Sequence, residues 1–235
     1  MAIKLTTTNK SSKYVKALCY GDAGVGKTVL CSTAPNPVII SAEKGLLSLA
    51  HLDIPVIEVK SLSDVQDAYE FVTESKEAEQ FETICLDSIT DVAEVMLNQY
   101  KKEDKDPRKS YGRLADDMTY LIRSFRDIEN FNVYFSAKMI RIEDEYTGIS
   151  TFRPGMPGKA LVNGLPFFFD EVLALKIGEG EDKSTFRYLQ TESDLQYTAK
   201  DRSGKLDNIE RPDLTYIFDK VLGKEKLRKS PNFIK

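Results

Sequence analysis

The eight residues Gly21-Asp22-Ala23-Gly24-Val25-Gly26-Lys27-Thr28 satisfy the pattern G-x-x-x-x-G-K-[ST], and the apolar run Tyr14 to Tyr20 leads directly into them. A strand ending in such a glycine-rich turn wraps its backbone N–H groups around a polyphosphate. The helix that follows, from Thr28 and Val29 onward, adds its positive dipole end. The pattern assigns Lys27 to the β- and γ-phosphates and Thr28 to Mg²⁺, so ATP and Mg²⁺ are the expected ligands. The bland alternative is a flexible glycine turn with a solvated lysine. It leaves the complete set of fixed positions and the preceding strand unexplained.

A second apolar run, Thr83-Ile84-Cys85-Leu86, ends in Asp87. In a parallel α/β sheet both runs open at the carboxyl edge, where Asp87 and Thr28 can approach one cation. The ordinary alternative is that Asp87 caps a helix beginning near Ile89. Magnesium and lysine stabilise charge but do not orient an attacking water, so a base or positioning group is also needed. Glu43, in Ser41-Ala42-Glu43-Lys44, is the candidate, against the reading that it merely initiates a helix over Gly45 to Ala50. Ser88 rather than a glutamate follows Asp87, which shifts the catalytic role towards Glu43.

The segments around these residues alternate between helix and strand patterns. A short helix from Thr28 stops by Pro35-Asn36-Pro37, and Val38-Ile39-Ile40-Ser41 forms the next strand. Val56 to Val59 reads as a third strand, and Ser63 can cap a helix that places Val65, Ala68 and Val72 on one face. From Arg113 to Glu129, the residues Leu114, Met118, Leu121, Ile122 and Phe125 share a helical face, and Val133-Tyr134-Phe135-Ser136 follows as a strand. Such alternation implies crossover connections and a mostly parallel sheet flanked by helices. Glu171 to Ile177 and Phe186 to Gln190, joined by an acidic glycine turn, predict antiparallel strands in the C-terminal third.

A chain of 235 residues, 41% hydrophobic, buries a full core, and one α/β domain over 1–235 is expected, with flexible termini at 1–12 and 224–235. No segment is long and apolar enough to span a bilayer, and the N-terminus has no signal-peptide pattern, so a soluble cytoplasmic protein without a membrane partner is expected. Cys19, Cys31 and Cys85 show neither disulfide nor metal-ligand spacing and read as small buried hydrophobes. His51 is the only histidine, which excludes histidine dyads and most transition-metal sites. Net charge is −4, yet Lys101 to Arg113 and the tail from Lys220 to Lys235 are locally basic. Such runs matter for binding only where the fold brings them together.

The phosphate loop, the glutamate after the second strand, the strand ending Leu86-Asp87-Ser88 and the later strand ending in polar residues together resemble the RecA-like phosphate-loop ATPase core, from about Tyr14 to about Gly204. The segment Phe152-Arg153-Pro154-Gly155-Met156-Pro157-Gly158-Lys159-Ala160, ahead of Phe169-Asp170-Glu171-Val172-Leu173, is similar to one in small phage ATPases of the AAA-type ATP-binding domain family that promote single-strand annealing and homologous recombination. The resemblance implies two DNA-binding loops facing the axis of a filament or ring. Lys101, Lys102, Arg108, Lys109, Tyr111 and Arg113 fall in the first; Arg141, Phe152, Arg153 and Lys159 fall in the second. Their cations would meet one phosphate backbone and Tyr111 and Phe152 would stack on bases, against the alternative of solvated loops with packed aromatics. Ser136 and Lys138 fall where the family senses the γ-phosphate, although RecA has a glutamine there. Lys200-Asp201-Arg202 resembles an element that related hexameric ATPases insert into a neighbour's site. Lys200 and Arg202 would then act in trans, unless the segment is a charged surface turn.

Three functions follow as expectations. The first is an Mg-dependent ATPase, stimulated by single-stranded DNA, that self-assembles and promotes annealing or strand exchange, with a single-strand-binding protein as a further partner, in a bacterial host where phage-encoded. The second is a replication-associated motor or accessory ATPase. The third is a nucleotide-switched scaffold without a DNA role; Asp22 stands where partition-type ATPases carry a signature lysine, which weighs against that variant.

Overall fold

The computed structural model describes residues 7, 13–43, 46–144, 147–224 and 226–228. The expectations for the termini therefore lie mostly outside the described residues, as does Gly45 of the helix expected over Gly45 to Ala50, of which Leu46–Leu49 forms a single 3-10 turn. Six strands form the parallel body of one sheet: β1 (Lys16–Gly21), β2 (Pro37–Ser41), β3 (Val56–Glu58), β4 (Thr83–Asp87), β5 (Asn132–Glu143) and β7 (Glu171–Glu179). They lie side by side in the order β3-β2-β4-β5-β1-β7, and the antiparallel strands β8 (Thr185–Gln190) and β10 (Ile209–Glu210) extend the sheet beyond β7. Two short strands lie off this path: β6 (Ser150–Pro154) folds back on β5, and β9 (Lys200–Asp201) pairs with β7. This is an α/β phosphate-loop fold, mostly parallel, with its antiparallel strands concentrated in the last third.

Both faces of the parallel strands are covered, which is why they read as apolar runs rather than alternations. Leu18, Tyr20, Ile84, Leu86, Val133 and Phe135 point into one core, where they meet α2 (Leu62–Glu74), α3 (Ile89–Glu103) and α4 (Pro107–Arg126). The alternate residues Ala17, Cys19, Ile39, Cys85 and Tyr134 point to the other face, with α1 (Lys27–Cys31) and α6 (Leu214–Val221). The three cysteines are all free, buried members of this second core.

Several boundaries differ from the expectations, each for a local reason. Helix α2 starts at Leu62, capped by Ser61 rather than Ser63, because the Ser61 hydroxyl oxygen accepts from the Asp64 N–H while the Asp64 carboxylate, at the third position, accepts from the Ser61 N–H. Helix α4 begins at Pro107 instead of Arg113, with Asp106 as its cap and proline in its first turn. The basic stretch Lys101 to Arg113 is therefore a helix–elbow–helix, not a loop. Strand β5 runs well past Ser136 to Glu143 because β6 gives its outer half a partner, so the expected second loop contains a β-hairpin, in which the Asp144 N–H donates to the Ile149 carbonyl at 3.0 Å.

Candidate nucleotide site

The loop between β1 and α1 takes its shape from its glycines. Gly24 and Gly26 have φ of 74° and 110°, in the left-handed region that side chains disfavour. A Cβ on Gly21 would stand 2.6 Å from the Leu175 carbonyl oxygen of the neighbouring strand β7. Helix α1 is short, ending at Cys31 as the downstream prolines require. The Lys27 ammonium lies back over the loop and donates to the carbonyls of Gly21 and Asp22 at 2.9 and 2.8 Å.

Asp87 is 2% exposed at the carboxyl end of β4. Its Oδ2 accepts from the Thr28 hydroxyl at 2.6 Å, and its Oδ1 accepts from the Ser136 hydroxyl of β5. Ser88, not Asp87, caps α3: its side chain accepts from the Asp91 N–H. That division leaves the Asp87 carboxylate to the phosphate loop. Thr28 and Asp87 thus present two oxygen ligands side by side, a set that fits Mg²⁺, which takes one or two protein oxygens and completes its octahedron with phosphate oxygens and water.

A cleft of about 590 Å³ brings together Gly21, Asp22, Ala23, Gly24, Gly26, Lys27, Thr28, Val29, Glu43, Asp87 and Lys138, so residues far apart in the chain share one space. Among the expected loop residues, Val25 is instead buried, packed with the second core, and its carbonyl accepts from the Arg187 guanidinium of β8 at 2.8 Å. Burial, the adjoining Asp91 carboxyl and the charge of Asp87 push the Glu43 carboxyl up to about 7, against the pull of Lys138. An acid so poised can hold or release a proton near neutrality. Lys138 stands in register with Gly21 across β1 and β5, and its ammonium binds Asp91 at 2.7 Å and Glu94 at 3.0 Å, both on α3. Sequence reasoning missed Asp91, Glu94 and Arg187. The first two sit at i and i+3 on the helix after Asp87, a spacing that also suits a solvated face; Arg187 has no local signal at all.

The residues expected to bind DNA are distributed differently. Arg113 is drawn into its own subunit: it bonds Glu103 at 2.6 Å and lies 4.0 Å from the centroid of the Tyr100 ring. Lys109 pairs with Asp104, Lys101 sits over the Tyr111 ring, and Arg141 bonds Ser150. Lys102 and Arg108 are exposed on the elbow. Phe152 is stacked on Tyr197 with centroids 4.7 Å apart, so one face of its ring is already covered. The Arg153 guanidinium reaches Asn163. The two basic segments do meet: a Cβ on Gly158, next to Lys159, would lie 3.6 Å from the Tyr111 ring.

Lys200 and Arg202 lie at the amino edge of β7, the opposite edge from the phosphate loop. The Lys200 ammonium donates to the Pro166 and Phe169 carbonyls, and burial, then the nearby Arg202, lowers its pKa. It braces the segment that leads into β7. Arg202 is more than half exposed and makes one ion pair, to Asp170 at 2.9 Å.

A family model described as an AAA domain matches residues 13–203. None of the curated proteins compared matches the chain. Among solved structures, an ATPase from the type III secretion system of pathogenic bacteria is similar at 13% identity and a TM-score of 0.47. The alignment covers 69% of this chain and 52% of that one, so the chain spans about half the length of that protein.

Proposed function

The chain belongs to the AAA domain family, and on that basis we propose that it is an Mg-dependent ATPase whose turnover responds to single-stranded DNA. The observation that carries the ATPase reading is the hydroxyl–carboxylate–hydroxyl line Thr28–Asp87–Ser136 at the floor of the phosphate loop. Thr28 and Asp87 would hold Mg²⁺, which when bound neutralises developing charge on the phosphates. Lys27 leaves two loop carbonyls to meet the β- and γ-phosphates, and Glu43 takes the proton of the attacking water. The DNA reading is supported by the meeting of the elbow with the turn after β6, where Tyr111 adjoins Gly158 just ahead of helix α5 (Lys159–Gly164). Lys101, Lys102, Arg108 and Lys159 surround that contact along the chain, enough charge to make binding steeply salt-dependent. Assembly into a filament or ring, with Arg202 reaching a neighbour's site, completes the proposal for annealing or strand exchange. No helix among the described residues is long and apolar enough to cross a membrane.

The test is ATPase turnover with and without single-stranded DNA, together with binding of labelled DNA across a salt series. Lys27→Ala should abolish turnover. ATPase activity indifferent to DNA, with no DNA binding at low salt, removes the recombination reading. The internal pairing of Arg113 and Lys109 and the stacking of Phe152 favour one alternative, a nucleotide-switched scaffold, and that same result would support it.

A further inference from the structure

Asp91 occupies the first turn of α3 and serves three neighbours at once. Its Oδ1 meets the Lys138 ammonium at 2.7 Å, its Oδ2 accepts from the Ser88 hydroxyl, and its backbone N–H donates to Ser88 Oγ at 3.2 Å. The Glu43 carboxyl adjoins it as well. The doubled Ser88 contact pins the Asp91 carboxylate to the helix start, so it cannot follow Lys138 if that side chain moves. Glu94, one turn further along α3, holds the same ammonium at 3.0 Å.

Lys138 has a second possible partner. It stands beside Gly21 in the sheet register and lines the cleft with Lys27 and Thr28, within the space a nucleotide's terminal phosphate would enter. Its side chain is 40% exposed, so the ion pairs holding it are of the weak, exchangeable kind. The ammonium carries one positive charge, so a γ-phosphate that draws it into the cleft lengthens its contacts to the two carboxylates on α3, and the γ-phosphate is what ATP has and ADP lacks. A ligand shifts an equilibrium only by its differential affinity for the two states.

We propose that Asp91, assisted by Glu94, is a positioning residue that competes with the γ-phosphate of ATP for the Lys138 ammonium, and so sets how strongly the site distinguishes ATP from ADP. This rests on the ATPase reading above. The exchange has a mechanical consequence: when Lys138 turns to the phosphate, α3 loses the two ammonium contacts at Asp91 and Glu94 and is held to β5 at its first turn by the Lys138 N–H, which donates to the Thr90 hydroxyl oxygen at 3.0 Å. Helix α3 carries Lys101 and Lys102 at its other end, so nucleotide state is transmitted to the basic elbow.

The experiment measures equilibrium binding of a non-hydrolysable ATP analogue and of ADP, both with Mg²⁺. Asp91→Asn should tighten the ATP analogue about 2- to 5-fold, the range of a partly exposed ion pair, and leave ADP unchanged. Glu94→Gln should act in the same direction. In a Lys138→Ala background, Asp91→Asn should have no effect on the ATP to ADP ratio, which closes a double-mutant cycle. An unchanged or lowered ratio in Asp91→Asn, or an effect that survives Lys138→Ala, overturns the proposal. Should Asp91→Asn fail to fold by circular dichroism, the exposed Glu94→Gln decides alone. Wild-type protein that binds neither nucleotide refutes the ATPase reading instead, and Lys27→Ala supplies the reference for lost binding.

Discussion

Glu171→Gln is expected to stabilise this protein, and to do so only above mildly acidic pH. Glu171 begins β7, is 0% exposed, and faces Asp201 across the β7–β9 pair. Neither Glu171 oxygen meets a donor in hydrogen-bonding geometry. Asp201, by contrast, collects the N–H and hydroxyl of Ser203 at 2.7 and 2.6 Å, the N–H of Gly204 at 3.1 Å and that of Leu206 at 2.9 Å. Asp201 is therefore the ionised member, and Glu171 keeps the proton and donates it. Burial first, then the charge and hydrogen bond of Asp201, push the Glu171 carboxyl from 4.5 up to about 8. The folded state then binds more protons than the unfolded chain between those values, so stability falls as pH rises through that window. At about 1.4 kcal/mol per pH step, and allowing for the pair's mutual coupling, the loss by pH 8 is about 2–4 kcal/mol. Glutamine keeps an N–H for Asp201 and has nothing to titrate. Urea unfolding at pH 5 and pH 8 should give nearly equal stabilities for the two proteins at pH 5, and a gain of about 2–4 kcal/mol for Glu171→Gln at pH 8. For a chain of this size that is on the order of 5–10 °C in Tm. Parallel pH profiles, or a variant less stable at pH 8, would refute the shared-proton account.

Glu43→Gln should retain ATP binding and lose turnover by about 100-fold or more, and the wild-type rise of kcat through pH 7 should be absent from the residual rate; a variant with the wild-type pH profile removes Glu43 as the base. Arg202→Ala should lose turnover and regain part of it when mixed with Lys27→Ala protein, since each supplies what the other lacks. An inert mixture leaves Arg202 as the surface partner of Asp170. Asp219, fully buried in α6, is held down at about 2 by Arg228 and Lys224 against the burial that would raise it. Its contribution is present above the ordinary aspartate value near 4 and fades as pH falls towards 2. Asp219→Asn should therefore cost about 1–3 kcal/mol at pH 7, read from thermal unfolding, and little at pH 2.

Legibility in the sequence followed the range of the interaction. Strand β4 and the phosphate loop were readable because each is specified within a few residues: an apolar run that ends in an acid, and glycines where φ must be positive. The start of α4 was misplaced because the apolar stripe begins only at Leu114, while Asp106 and Pro107 act by capping. The length of β5 was underestimated because Met139 to Glu143 is stabilised by β6, a partner that a period-2 pattern alone does not reveal. Lys200 carries the charge expected of a trans-acting group, and the two carbonyls that hold its ammonium belong to Pro166 and Phe169, more than thirty residues away in the chain and so outside any local pattern.

Residue types and their spacing suffice to show that a phosphate loop follows a buried strand, that an acid ends another, and that helices cross between parallel strands, because turn chemistry and hydrophobic period are local properties. Which charges meet is a matter of the folded sheet. Strand order sets β5 beside β1 and so brings Ser136 to Asp87 and Lys138 to the phosphate loop, while α3 delivers Asp91 and Glu94 to the same ammonium. Electrostatic contacts depend on distances of a few ångströms between segments tens of residues apart, and such distances exist only once the sheet has closed.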